Sequence, residues 1–212
     1  MSEMQSGTPN PLKKYFRQPK IYIPLPSKGN FYPQGALDKT ENGQYPVYPM
    51  TARDEIMMKT PDALFNGEAT VRVIESCCPY IKDAKRIPSL DIDTLLVAIR
   101  IATFGESMTI SHTCKNCSTE NDFDIDLRTV IDHYAHLDFS NTIQIQDLTV
   151  EIKPLSYQDL TDFNVENFKL QKMLSQLESS QNDQNTELVE NIYTNLAKIQ
   201  LSIVARSIEY VR

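Results

Sequence analysis

The sequence predicts an α+β fold, and three observations carry that prediction. The segment Asp93 to Gly105 is apolar nearly all round, as a central buried helix would be. Short alternating or β-branched runs stand on both sides of it and read as antiparallel hairpins. From Ser156 onward, apolar residues recur at helical spacing over two long stretches. The expected architecture is a small mixed body with antiparallel hairpins around a buried helix, a C-x-x-C knuckle, and a C-terminal two-helix amphipathic hairpin. The expected boundaries are a disordered basic arm over 1–19, a body over 20–155 and the helical hairpin over 156–212. With 212 residues and 41% hydrophobic composition, the chain can bury one large core or two small ones.

The first 19 residues are polar and Pro-interrupted, with Lys13, Lys14 and Arg17 against Glu3, too little apolar surface to order on their own. Ile21 to Pro33 is extended and apolar, its prolines forbidding helix. Ser27-Lys28-Gly29 within it is a turn and lacks the spacing of a phosphate loop. Tyr45 to Met50 reads as a strand paired with Ile21 onward. Thr51 to Asp54 resembles a capping box opening a short helix to Lys59. Pro61 to Gly67 adds a turn and a stop, and Glu68 to Cys78 a helix with Val71, Ile74 and Cys78 on one face, ended by Pro79.

The central helix is expected to start at an Asp93 cap and end before Gly105. Met108 to His112, Asp122 to Leu127, Thr142 to Ile145 and Leu148 to Ile152 read as strands, with Gln146-Asp147 as a tight turn. Ser156 to Asp159 is a second capping box. Phe163, Leu170, Leu174 and Leu177 follow on one helix, and Val189, Ile192, Leu196, Ile199 and Ile203 on the next, at coiled-coil steps. These stripes are candidate partner-binding surfaces, with packing on the body or on each other as the alternative. The final residues are expected to stay within the helical pattern.

Cys114 and Cys117 are spaced as half of a tetrahedral thiolate site, so structural zinc and a pair of free thiols are the competing readings. His112 is a candidate third ligand. The fourth is Cys77, or a second copy of the chain contributes its own pair; Cys78 is expected in the core. Asp122, Asp124 and Asp126 imitate a calcium loop, but Leu127 and His133 stand where it needs Gly and Glu, which favours a strand with an acidic outer face and Phe123, Ile125 and Leu127 inside. His133 and His136 read as surface or helix-end residues. No nucleophile has a recognisable base and oxyanion turn, so an enzyme is not expected and no catalytic residue is assigned.

A formal charge of −7 argues against nucleic acid as the main partner. No apolar run has membrane-spanning length. Four cysteines without a disulfide pattern suggest a reducing, intracellular setting.

Pro24-Leu-Pro-Ser-Lys-Gly-Asn-Phe-Tyr-Pro33, Tyr48-Pro-Met-Thr-Ala-Arg-Asp-Glu55, Leu64-Phe-Asn-Gly67, Ile74-Glu-Ser-Cys77 and Cys114-Lys-Asn-Cys117 together resemble the baseplate hub assembly proteins of T-even-type contractile-tail phages. The resemblance spans roughly residues 20 to 130. It implies a non-enzymatic hub component or chaperone-like assembly factor, whose partners are other hub proteins; self-association is a separate expectation, from the half-site of the knuckle. It also implies work in the host cytoplasm during assembly, and a place in the baseplate hub if the protein is retained. The family's cysteine knuckle falls on Cys114 and Cys117, with Ser118 where relatives carry Gly. The rival class is a zinc-ribbon-like nucleic-acid adaptor.

Overall fold

The computed structural model describes residues 16–137, 139–179 and 186–212. In chain order its elements are β1 (Ile21–Pro24), β2 (Gln44–Val47), α1 (Ala52–Met57), α2 (Pro61–Phe65), α3 (Glu68–Cys77), a 3-10 turn (Ala84–Arg86), α4 (Ser89–Phe104), β3 (Ser107–Thr113), β4 (Glu120–Asp126), α5 (Leu127–Ala135), β5 (Thr142–Ile145), β6 (Leu148–Ile152), α6 (Tyr157–Ser179), α7 (Thr186–Ser207) and β7 (Ile208–Val211). The mixed α+β class expected from the sequence is the class observed. Most of the expected basic arm, residues 1–15, lies outside the described residues. Arg17, assigned to that arm by its charge, is seated on the body: its guanidinium donates to the Pro49 carbonyl at 2.9 Å and to the Ser76 carbonyl, and stacks over the Tyr48 ring.

The three sheets are all antiparallel and small: β1 with β2, β3 with β4, and β5-β6-β7 in that order. The main core collects Ile23, Tyr45 and Val47 from the first hairpin, Val73, Ile74 and Cys77 from α3, and Leu95, Ala98 and Ile99 from α4. Burying such aliphatic side chains contributes about 1.5–3 kcal/mol each, which is why the nearly all-apolar α4 sits at the centre.

Four expectations need correction. Helix α4 starts at Ser89 instead of at an Asp93 cap; Asp93 is exposed in its second turn, while Asp91 is buried in the first. The partner of this first turn is far away in sequence. Asp91 accepts from the Ser27 backbone N–H at 2.8 Å, the Ser27 hydroxyl at 2.6 Å and the Tyr32 hydroxyl at 2.8 Å, locking the Pro-rich loop onto the helix. Second, Cys77 as well as Cys78 is buried in the core. Third, Phe123 is 57% exposed instead of facing inward. Fourth, the chain leaves helix after Ser207 and forms β7, where Val211 pairs with Val150 and Tyr210 with Glu151. Pairing with an open strand edge outweighs the helical periodicity that continues up to it.

Both capping boxes form. Thr51 and Asp54 cap α1, and Ser156 and Asp159 cap α6, with Ser156 Oγ donating to Asp159 at 2.6 Å. The segment before α6 is tied to the body, since Ser89 N–H donates to the Leu155 carbonyl at 2.8 Å and Tyr157 N–H to that of Ile87 at 2.9 Å. Tyr157 and Leu160 also pack on the main core, so α6 joins the body without a loose linker.

Candidate functional site

Two surfaces carry the residues singled out from sequence. The first is the β3–β4 hairpin. Its register pairs Met108 with Ile125, Ile110 with Phe123 and His112 with Asn121 on one face, and Thr109 with Asp124, Ser111 with Asp122 and Thr113 with Glu120 on the other. The second face is acidic and internally satisfied: Thr109 donates to Asp124 at 2.5 Å and Ser111 to Asp122 at 2.6 Å. Asp126 instead caps α5 through the Arg128 N–H at 2.9 Å. The three aspartates are thereby committed to separate tasks and do not form a calcium loop.

On the apolar face, Met108 packs against the main core at the root of the hairpin, whereas Ile110 and Phe123 stand exposed further out. The tip holds Cys114 and Cys117. Cys114 N–H donates to the Thr119 carbonyl at 2.9 Å and Ser118 N–H to the Cys114 carbonyl at 2.9 Å, closing the turn. Ser118 takes a φ of 55°, so it occupies the left-handed position that Gly adopts most readily. The Thr119 hydroxyl, then its backbone, then the Cys114 side chain hold the Cys117 thiol below its ordinary value.

The structure brings together Cys114 and Cys117 but not the other two candidate ligands. Cys77 ends α3 inside the core, where burial pushes its thiol up to about 11, the reverse of what a metal-binding thiolate requires. His112 precedes Cys114 by two residues on β3, yet among the described residues no three His, Cys, Asp or Glu side chains converge to hold an ion. His133 lies in α5 and His136 at its C-terminal cap, apart from the knuckle.

The second surface is the helical pair. Arg206, in the last turn of α7, pairs with Asp159 in the first turn of α6 and lies over the Phe163 ring, so the two helices run antiparallel. Phe163 and Ile199 are buried together with Leu155, flanked by Leu160, Leu170 and Ile203. Ile192 is buried, and Leu174, Leu177, Val189 and Leu196 are half-buried. The predicted stripes are therefore the sides of the helices withdrawn from solvent, the alternative left open by periodicity alone. The apolar residues facing outward are different ones. Tyr193, Leu201 and Val204 are 54%, 69% and 58% exposed on α7, and steps of eight and three residues align them along one side of that helix.

Sequence reasoning missed Asp91 and Arg17, whose roles depend on partners dozens of residues away. Gly67 was recognised as a stop, but not as the point where α3 meets α6. A side chain there would press on Thr161 at 2.9 Å and on the Tyr157 hydroxyl at 3.1 Å. An open cleft of about 930 Å³ beside this contact is lined by Arg72, Glu75, Glu166 and Lys169 among others, an assortment of both charge signs without a nucleophile–base pairing. No helix among the described residues is long and apolar enough to cross a membrane.

A family model described as T4 bacteriophage base plate protein matches residues 36–211, from just after the Pro-rich loop through the knuckle hairpin and the helical pair. No curated protein and no solved structure matches the chain.

Proposed function

Since the chain belongs to the T4 bacteriophage base plate protein family, we propose that it is a non-enzymatic tail-morphogenesis protein that binds other baseplate hub proteins and promotes assembly of the central hub in the host cytoplasm. A base plate role follows from the family; the hub, its proteins and the promoting action are the proposed part. The observation that supports docking most is the outward apolar row Tyr193, Leu201 and Val204 on α7. That helix is anchored at its C-terminal end, by β7 and by the Arg206–Asp159 pair, and so presents the row on a preorganised support. An apolar helix face of this kind suits a groove on a protein partner. A nucleic-acid adaptor fits less well, because the hairpin that carries the knuckle also displays Glu120, Asp122 and Asp124, which would repel phosphates.

Coexpression with individual hub proteins tests this. Leu201→Asp combined with Val204→Asp changes exposed positions only, so the fold should persist by circular dichroism while capture of at least one hub protein falls by about tenfold or more. Unchanged capture by this folded variant would remove the α7 face from the proposal, and failure of the wild-type chain to capture any hub protein would remove the proposal itself.

A further inference from the structure

We propose that Cys114 and Cys117 are one half of a zinc centre that the same two cysteines of a second copy of this chain complete, joining two chains tip to tip through their β3–β4 hairpins. The proposal concerns the isolated protein and does not depend on the hub reading above.

Two observations and one symmetry argument converge on it. The knuckle sets Cys114 and Cys117 on one tight turn, closed by the Cys114–Thr119 and Ser118–Cys114 hydrogen bonds with Ser118 in the left-handed region. Structural zinc requires four S or N ligands, and among the described residues the chain gathers no third candidate beside these two. The shortfall is half a site, and a two-fold axis supplies the missing half with identical chemistry, as isologous interfaces do.

The hairpin also specifies which side the second copy covers. Its outer face carries Glu120, Asp122 and Asp124, and two such faces would repel each other. Its other face carries Ile110 and Phe123, directly paired across the strands, 39% and 57% exposed, and continuous with the Met108 side that packs on the core. By strand alternation His112 follows Ile110 on that same face, and Cys114 stands just beyond the end of β3. Closing two hairpins over one zinc would bring the two exposed apolar pairs together and leave both acidic faces in water. Each metal held this way would replace two thiol protons per chain, releasing them to solvent on binding.

Purified full-length chain, kept reduced with a phosphine, would be dialysed against zinc chloride, then analysed for metal content and for mass by sedimentation. The expected result is about one zinc per two chains, with a dimer in zinc and a monomer after chelation. Cys114→Ser and Cys117→Ser should each lose both zinc and dimer, while Cys77→Ser keeps both. Phe123→Ser leaves all thiols in place and should weaken the zinc-loaded dimer by about tenfold, a change that metal binding within one chain would not produce. A reduced wild type that retains no zinc, a monomer that holds one zinc per chain, or a dimer indifferent to chelation would each overturn the proposal.

Discussion

Asp91 shows how one residue couples distant parts of this chain. It is fully buried, and its carboxylate receives three hydrogen bonds from Ser27 and Tyr32. Burial nevertheless dominates and pushes its pKa above the usual carboxyl range. Truncation by Asp91→Ala would leave the Ser27 N–H without its acceptor, and a buried donor left unsatisfied destabilises by about 1–3 kcal/mol. The pH dependence has a definite sign. Because the folded carboxyl holds its proton more tightly than the unfolded one, the stability it contributes is complete below the ordinary carboxyl range, around pH 4, and declines as pH rises through the folded pKa. Urea unfolding of wild type and Asp91→Asn at several pH values should show the wild-type advantage shrinking upward from about pH 4. An advantage that grows with pH would contradict this. Arg17 teaches the same lesson from the opposite direction: a basic residue among prolines reads as a solvated tail, and only the Pro49 and Ser76 carbonyls that receive it reveal an anchor.

At the scale of elements, features encoded within a few residues were legible and those fixed by distant partners were not. The two capping boxes, the β5–β6 hairpin with its Gln146 turn at a φ of 54°, and the knuckle hairpin are all local chemistry, and all are present. The burial of Asp91 in α4 and the switch from α7 to β7 depend on Ser27 and on the free edge of β6, which no local window contains. The helical stripes were legible as stripes, but periodicity cannot say whether the covering surface comes from the same chain. The contact between α3 and α6 gives a direct test. Gly67 has a φ of 75° and its α-carbon faces Thr161 and Tyr157. Gly67→Ala should destabilise by about 1–2 kcal/mol from the left-handed backbone alone, with the crowding added to it. Combining it with Thr161→Ala should recover the Thr161 share of the crowding in thermal unfolding. Full recovery, or no loss in the single variant, would contradict the packing described.

On the scale of the whole molecule, the chain is a body with two projecting surfaces. The knuckle hairpin runs off the core with an apolar face and an acidic face, and the helical pair returns through β7 to the sheet beside its own start. Both offer apolar side chains on well-supported secondary structure, the arrangement expected of a part that joins other parts. Its place in the base plate rests on the family match, which includes the helices that the sequence resemblance did not use. The measurement closest to that role is the sedimentation profile of hub proteins in cells infected by phage that lack this chain. Hub proteins should then remain as separate, slowly sedimenting species. Supplying the wild-type chain should restore a complete hub, and supplying the Leu201→Asp, Val204→Asp variant should not. Complete hubs formed without the chain would contradict the assembly function proposed for it.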